Sequence, residues 1–306
     1  MIIRVATRGS RLALAQTDLV ADKLRAIVPE AEVTAVIVTT SGDRDQSATV
    51  AGTGWFTTAL QDALQAGEAD IAVHSYKDLP TRRPEGLVIA AVPFREDPRD
   101  ALVTRDGRST LRQLARGSVV GTGSPRREVQ LRASRPDLDV RPIRGNVDTR
   151  IAKVDAFEYD AVVLALAGLR RLGLEARATE VFSVYDMLPA PAQGALAIEC
   201  RAADRELRAL LARIDNRPVR EEVTAERSFL AALEAGCRFP AGAYAEHFGS
   251  TLKLHGFVAT DAGAILRSKM AGAPETAAGL GRALAGELLA RSAGATTTRS
   301  REAGPA

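Results

Sequence analysis

"SVVGTGSPRREVQL", residues 118 to 131, decides how this chain folds, because residues 3 to 16, "IRVATRGSRLALAQ", follow the same design. Each stretch opens with a short apolar run and passes through a Thr/Gly turn. Each then reaches a serine suited to cap a helix, a basic residue, and apolar positions at helical spacing. A second pair repeats further along: "GEADIAVHS" (67–75) echoes "FEYDAVVLA" (157–165). Repeated strand–helix units predict two βαβ lobes with mainly parallel sheets, facing each other across a cleft.

Working outward, strands are expected at 2–6, 32–40, 70–75 and 86–93, and helices at 11–28 and from about Trp55 to Ala66. Ser10 is the expected cap of the first helix. Residues 41–54, "SGDRDQSATVAGTG", read as a polar, glycine-rich loop. After about Asn216 the texture changes. Asn216 and Pro218 open a helix that should stop at Gly236, followed by the short strands "TLKLHGFVAT" and "AILRSKMAG" and a last helix. These predict a small C-terminal α+β domain. The tail, 296–306, is polar and is expected to be disordered.

The composition excludes several classes. With 46% apolar residues and no apolar run near 18, no membrane span is expected. "MIIRVATRGS" reads as a first strand and not as a signal peptide. Two cysteines make neither a disulfide framework nor a zinc site, and His74, His247 and His255 lack ligand spacing. A cytoplasmic, metal-free protein is the expectation. Cys200, closing the apolar run "GALAIEC", reads as a small core residue. The net charge of +3 does not by itself imply nucleic acid. Between Gly121 and Arg150, however, seven arginines stand against four acids, and lysine is absent. Arginine suits bidentate contacts with carboxylate or phosphate.

Ligands of such sheets bind beyond the carboxyl ends of the strands. Those ends supply Arg8 and Ser10; Ser75, Lys77 and Asp78; Thr122, Ser124, Arg126 and Arg127; Arg144, Asn146 and Arg150; and Arg170 and Arg171. Any one arginine could simply pair with a surface acid. The set on one edge points to a ligand with several carboxylates or phosphates. Asp78 reads either as an ion-pair partner of Lys77 or as a carboxylate that steadies positive charge in the cleft. Cys237, in "EAGCRFPAG", reads either as a structural cysteine or as a covalent tether. A non-catalytic anion-binding module would use the same clamshell and arginines. It would not need Asp78 and Cys237 together. A nucleic-acid binder would want aromatic platforms, and aromatics are only 4% of residues.

Eight ordered motifs resemble the porphobilinogen deaminase (hydroxymethylbilane synthase) family. They are "RVATRGSRLALAQ", "ADIAVHSYKDLP", "REDPRDAL", "VGTGSPRR", "RPIRGNVDTR", "YDAVVLALAGLRRLG", "LPAPAQGALAIEC" and "EAGCRFPAG". The resemblance implies a transferase of haem biosynthesis. It would condense four porphobilinogen molecules head to tail on a covalent dipyrromethane cofactor, with loss of ammonia, and release hydroxymethylbilane. It implies that Cys237 carries the cofactor by a thioether and that Asp78 is catalytic. It implies that Lys77, Ser75, Thr122, Ser124, Arg126, Arg127, Arg144 and Asn146 hold the cofactor. Arg8, Ser10, Arg150, Arg171 and Gln193 are implied to hold substrate. A monomer binding no nucleic acid and no membrane is the family expectation.

The same resemblance implies two lobes of the type II periplasmic-binding-protein kind plus a small α+β C-terminal domain. Domain 1 would then be discontinuous, 1–96 plus about 189–213. Domain 2 would cover 97–188 and domain 3, with the cofactor cysteine, 214–295. Two departures stand out. Thr49, Thr53 and Thr58 occupy a region where the family often has lysine, leaving Arg44 as a cation there. Ala192 stands where glycine is expected before Gln193, a costly exchange if that turn needs φ > 0.

Overall fold

The computed structural model describes residues 1–39, 57–234, 240–260 and 263–302. The first repeat forms β1 (Ile2–Thr7) and α1 (Arg11–Ile27); the second forms β6 (Val119–Gly121) and α3 (Pro125–Ser134). Both serines cap as expected. Ser10 Oγ accepts from Ala13 N at 3.3 Å, and Ser124 Oγ accepts from Arg127 N at 3.4 Å.

The two lobes are topological copies. Lobe 1 adds β2 (Glu32–Ile37), α2 (Thr58–Gln65), β3 (Ile71–Ser75), β4 (Leu87–Ala91) and β10 (Leu196–Arg201), with sheet order β2-β1-β3-β10-β4. Lobe 2 has β5 (Asp100–Thr104), β7 (Asp139–Arg141), α4 (Val147–Asp155), β8 (Ala161–Ala165), α5 (Leu166–Arg171) and β9 (Glu180–Val181), with order β7-β6-β8-β5-β9. The sheets are not wholly parallel. In each, the fourth strand runs against both neighbours: β10 against β3 and β4, and β5 against β8 and β9. That strand reaches each lobe from the other one. β5 is laid down as the chain leaves lobe 1, and β10 as it returns.

The two crossings pair with each other. Glu96 N donates to Gly194 O at 3.0 Å, and Arg95 and Ala195 form an antiparallel bridge. Gly194 has φ +88°, and a Cβ there would lie 2.1 Å from Glu96 O, so only glycine fits. Lobe 1 packs Ile3, Val5, Leu24, Ile71, Val73 and Ile198 around buried Cys200, whose thiol burial pushes up to about 11. Cys200 is thus a core residue.

The C-terminal unit is an antiparallel meander of β11 (Ala241–Phe248), β12 (Thr251–Ala259) and β13 (Ile265–Gly272). Before it come α6 (Arg205–Ala212), which belongs to lobe 1, and α7 (Arg217–Glu234). α7 and α8 (Ala277–Glu302) cover the meander through Phe229, Leu233, Leu254, Leu284 and Leu288. Asn216 opens α7 by accepting from Val219 N at 3.2 Å. α8 runs to Glu302, into the stretch from 296 that was expected to be disordered. Extending a packed helix costs little once it is nucleated.

Candidate functional site

A cavity of about 530 Å³ opens between the lobes. It is in the size range of small-molecule sites. β1 brings Arg8 and Ser10 to it. β3 ends in Ser75 and runs into a 3₁₀ turn, Tyr76–Asp78, that places Lys77 and Asp78 on the wall. β7 leads to Arg144 and Asn146, and α4 adds Arg150. β8 leads into α5 and Arg171, and Arg127 reaches in from α3. Among the described lining residues, six side chains are Arg or Lys and Asp78 is the one carboxylate.

Three of these cations, Lys77, Arg150 and Arg171, are poorly solvated. Burial pushes the Arg150 guanidinium down to about 10, with Arg127 adding to the effect and Asp78 opposing it. Burial also lowers Arg171 to about 10, against the pull of Glu96. Arg171 Nη2 donates to Gly194 O at 2.5 Å, while its Nε is buried with no hydrogen-bond partner. Burial depresses the Lys77 ammonium to about 8. Asp78 and Asp100 oppose that shift, and Arg127 and Arg126 add to it. Desolvated cations, one of them with an orphaned donor, fit a ligand carrying several carboxylates.

Ser75 is held by an unanticipated partner, as Gln16 Nε2 donates to its Oγ at 2.8 Å. Not every expected residue lines the cavity. Thr122 Oγ1 accepts from Ser124 N at 3.2 Å, and Ser124 caps α3, so this pair shapes the helix start. Arg126 sits behind the wall, with Nη1 at 2.7 Å from both Leu188 O and Asp100 Oδ2. Gln193 is fully buried and touches Lys77, Pro98 and Asp100. Asp100, absent from the sequence expectations, is the counter-ion at the centre. Burial alone would raise its carboxyl, yet Arg126 and Arg127 hold it well below the usual range.

Other arginines of the rich stretch take the plain ion-pair role: Arg132 with Glu128, Arg135 with Asp137, and Arg141 with Asp139. Arg170 joins the crossing, pairing with Glu96 at 2.8 Å. Cys237, Arg44, Thr49 and Thr53 lie outside the described residues; Thr58 opens α2. Ala192 does adopt φ +64°, as the glycine expectation required.

Two family models match. "Porphobilinogen deaminase, dipyromethane cofactor binding domain" covers residues 3–209, and "Porphobilinogen deaminase, C-terminal domain" covers 220–290. The chain is 51% identical to the porphobilinogen deaminase of Nocardia farcinica, over 94% of this chain and 85% of that protein. It is 49% identical to that of Mycolicibacterium gilvum, over 94% and 95%. The Mycobacterium tuberculosis relative is also 49% identical, over 94% and 96%. Among solved structures, a methionine-binding protein is similar at 12% identity and TM-score 0.46, over 76% of this chain and 94% of that one. A Salmonella typhimurium periplasmic binding protein with high arginine specificity matches at 14% identity and TM-score 0.42, over 70% and 91%. No described helix is long and apolar enough to cross a membrane. By both family models and by relatives near half-identical along almost its whole length, this chain belongs to the porphobilinogen deaminase family of enzymes and carries that family's dipyrromethane cofactor-binding domain.

Proposed function

We propose that the chain is the transferase hydroxymethylbilane synthase. It joins four porphobilinogen molecules head to tail with loss of ammonia and then releases the linear tetrapyrrole by hydrolysis. The observation that carries this reading is the cavity wall: desolvated arginines and one lysine around a single carboxylate, Asp78. A growing chain with two carboxylates per ring needs the former, and a pyrrole that becomes cationic needs the latter.

The bound dipyrromethane supplies an acidic primer with a nucleophilic terminal pyrrole carbon. Cys237 is the proposed attachment point, through a thioether, in the segment between α7 and β11. Arg8, Arg127, Arg144, Arg150, Arg171 and Lys77 pair with ring carboxylates. Ser10, Ser75 and Asn146 add neutral hydrogen bonds. Arg126, Thr122, Ser124 and Gln193 act one step back, by fixing α3 and Lys77. Asp78 faces the positive charge that develops as ammonia leaves the substrate, and takes up the ring proton lost after carbon–carbon bond formation. We assign domain 1 to 1–96 plus about 189–213, domain 2 to 97–188 and domain 3 to 214–295. A cytoplasmic monomer completes the reading.

The test is the intact mass of the purified protein beside a Cys237→Ser variant. Two added pyrrole units in the first, absent from the second, support the reading. Bare polypeptide mass in both, from cells that make porphobilinogen, would sink it.

A further inference from the structure

Asp100 is a buried carboxylate that the chemistry above leaves unused. It opens β5 at the end of the outgoing crossing and is wholly inaccessible. Arg126 Nη1 lies 2.7 Å from its Oδ2. Arg127 Nη2 and Nε lie 2.7 and 3.1 Å from Oδ1, and Gln193 Nε2 donates to the same oxygen at 2.8 Å. The Gln193 amide also donates to Pro98 O at 2.7 Å. Those two donations fix which way the amide faces. Its nitrogen is turned toward Asp100, so its oxygen is turned toward Lys77, whose Nζ donates to it at 3.2 Å. The contacts therefore run from lobe 2, through both crossings, to the turn that bears Asp78.

The charges make this more than packing. Arg126 and Arg127 share one carboxylate in a buried setting, and Lys77 stands one amide away. Without Asp100 the two guanidinium groups would face each other and Lys77 uncompensated, which is costly in a low dielectric. Lys77 is bracketed by two carboxylates, Asp78 beside it and Asp100 behind it, and both favour its charged form.

We propose that Asp100 is a positioning residue for the reaction: directly on Arg127, and through Gln193 on Lys77, it fixes the cations of the cleft wall that receive the carboxylates. The identity of those carboxylates rests on the deaminase reading; the positioning does not.

The experiment is trace acylation of Lys77 with acetic anhydride across pH, read by peptide mass spectrometry, alongside kcat and KM for porphobilinogen on the protein as purified. Asp100→Asn removes an anion behind Lys77, and its labelling at pH 6.5, well below the Lys77 pKa of about 8, should rise by about threefold, a shift of roughly half a pH unit. Gln193→Glu adds an anion there and should lower labelling by a similar factor. General damage would not move the two in opposite directions. If Asp100→Asn fails to fold, Gln193→Met cuts the link while keeping both arginine pairs, and should also raise labelling. KM should rise more than kcat falls in Asp100→Asn or Gln193→Met. Unchanged Lys77 labelling in folded Gln193→Glu and Gln193→Met overturns the proposal. Absence of the added pyrrole mass would instead count against the deaminase reading, and the labelling would still be read on that same protein.

Discussion

Glu226 Oε2 accepts the backbone N–H of Ala192 at 2.6 Å, so a carboxylate on α7 holds the residue that has a left-handed backbone where glycine is expected. The same carboxylate binds Arg95 through both oxygens, at 2.8 and 3.1 Å, and accepts from Ala245 N at 2.7 Å. It is fully buried. One side chain thus joins the C-terminal meander to the returning crossing.

Glu226→Gln should destabilise the protein by about 3 kcal/mol. It leaves the Arg95 guanidinium buried with Glu222, at 3.5 Å, as its remaining charged partner. Urea unfolding should show a lower midpoint with an unchanged slope.

Ala192→Gly should be nearly silent, within about 1 kcal/mol. Relief of a left-handed alanine is worth ~1–2 kcal/mol. A buried methyl group is worth ~0.8 kcal/mol in the other direction. The added freedom of glycine in the unfolded chain costs ~0.5–1 kcal/mol more. The near-cancellation explains how alanine is accommodated here. Ala192→Val has no such offset and should cost more than about 2 kcal/mol by thermal unfolding.

Gly194→Ala should be severe, roughly 3 kcal/mol or more. The new Cβ would sit 2.1 Å from Glu96 O and demand φ +88° of an L-residue. Limited proteolysis should reveal cleavage at the crossings that the parent protein resists.

Asp78→Asn should lower kcat by about 10²–10³-fold. Asp78 is exposed to the cleft, so its thermal midpoint should barely move. Ammonia release per turnover is the direct measure; a kcat within tenfold of the parent would remove Asp78 from the chemistry.

Lys77 gives a pH signature. Its folded value is about 8 and its reference value is 10.5. Between these the unfolded chain binds the proton that the folded one has lost, so stability rises with pH. Below pH 8 both states hold the proton, and the cost of burying the charge is paid in full. The stability difference between the parent and Lys77→Met should therefore shift in favour of the parent from pH 8 to 10.5. A flat difference across that window would contradict the burial of Lys77.

The duplication of lobes was legible because turn chemistry and helix caps repeat visibly at Ser10 and Ser124. The reversed strands were not. The strands "DALVT" and "LAIECR" each carry a short apolar run, and such a run carries no mark of direction or partner. The arginines were legible as a group but not by destination. Arg135 and Arg141 each have an acid two residues on or back, and they pair with it. Arg126 and Arg127 are adjacent, yet only Arg127 lines the cavity, because neighbouring helical positions point about 100° apart. Asp100 sits in "REDPRDAL" with no local mark of its role, since its importance comes from burial.

The exchange of β5 and β10 between lobes bears on how the chain is made. The lobe 1 sheet stays incomplete until Arg201 has left the ribosome, although its first strand begins at Ile2. More than a hundred residues of synthesis separate β10 from its partners, so the N-terminal lobe has to wait with two unsatisfied sheet edges, β3 and β4. A nascent chain arrested before that point should bind chaperones and be cut by protease, and neither lobe should be obtainable alone by truncation.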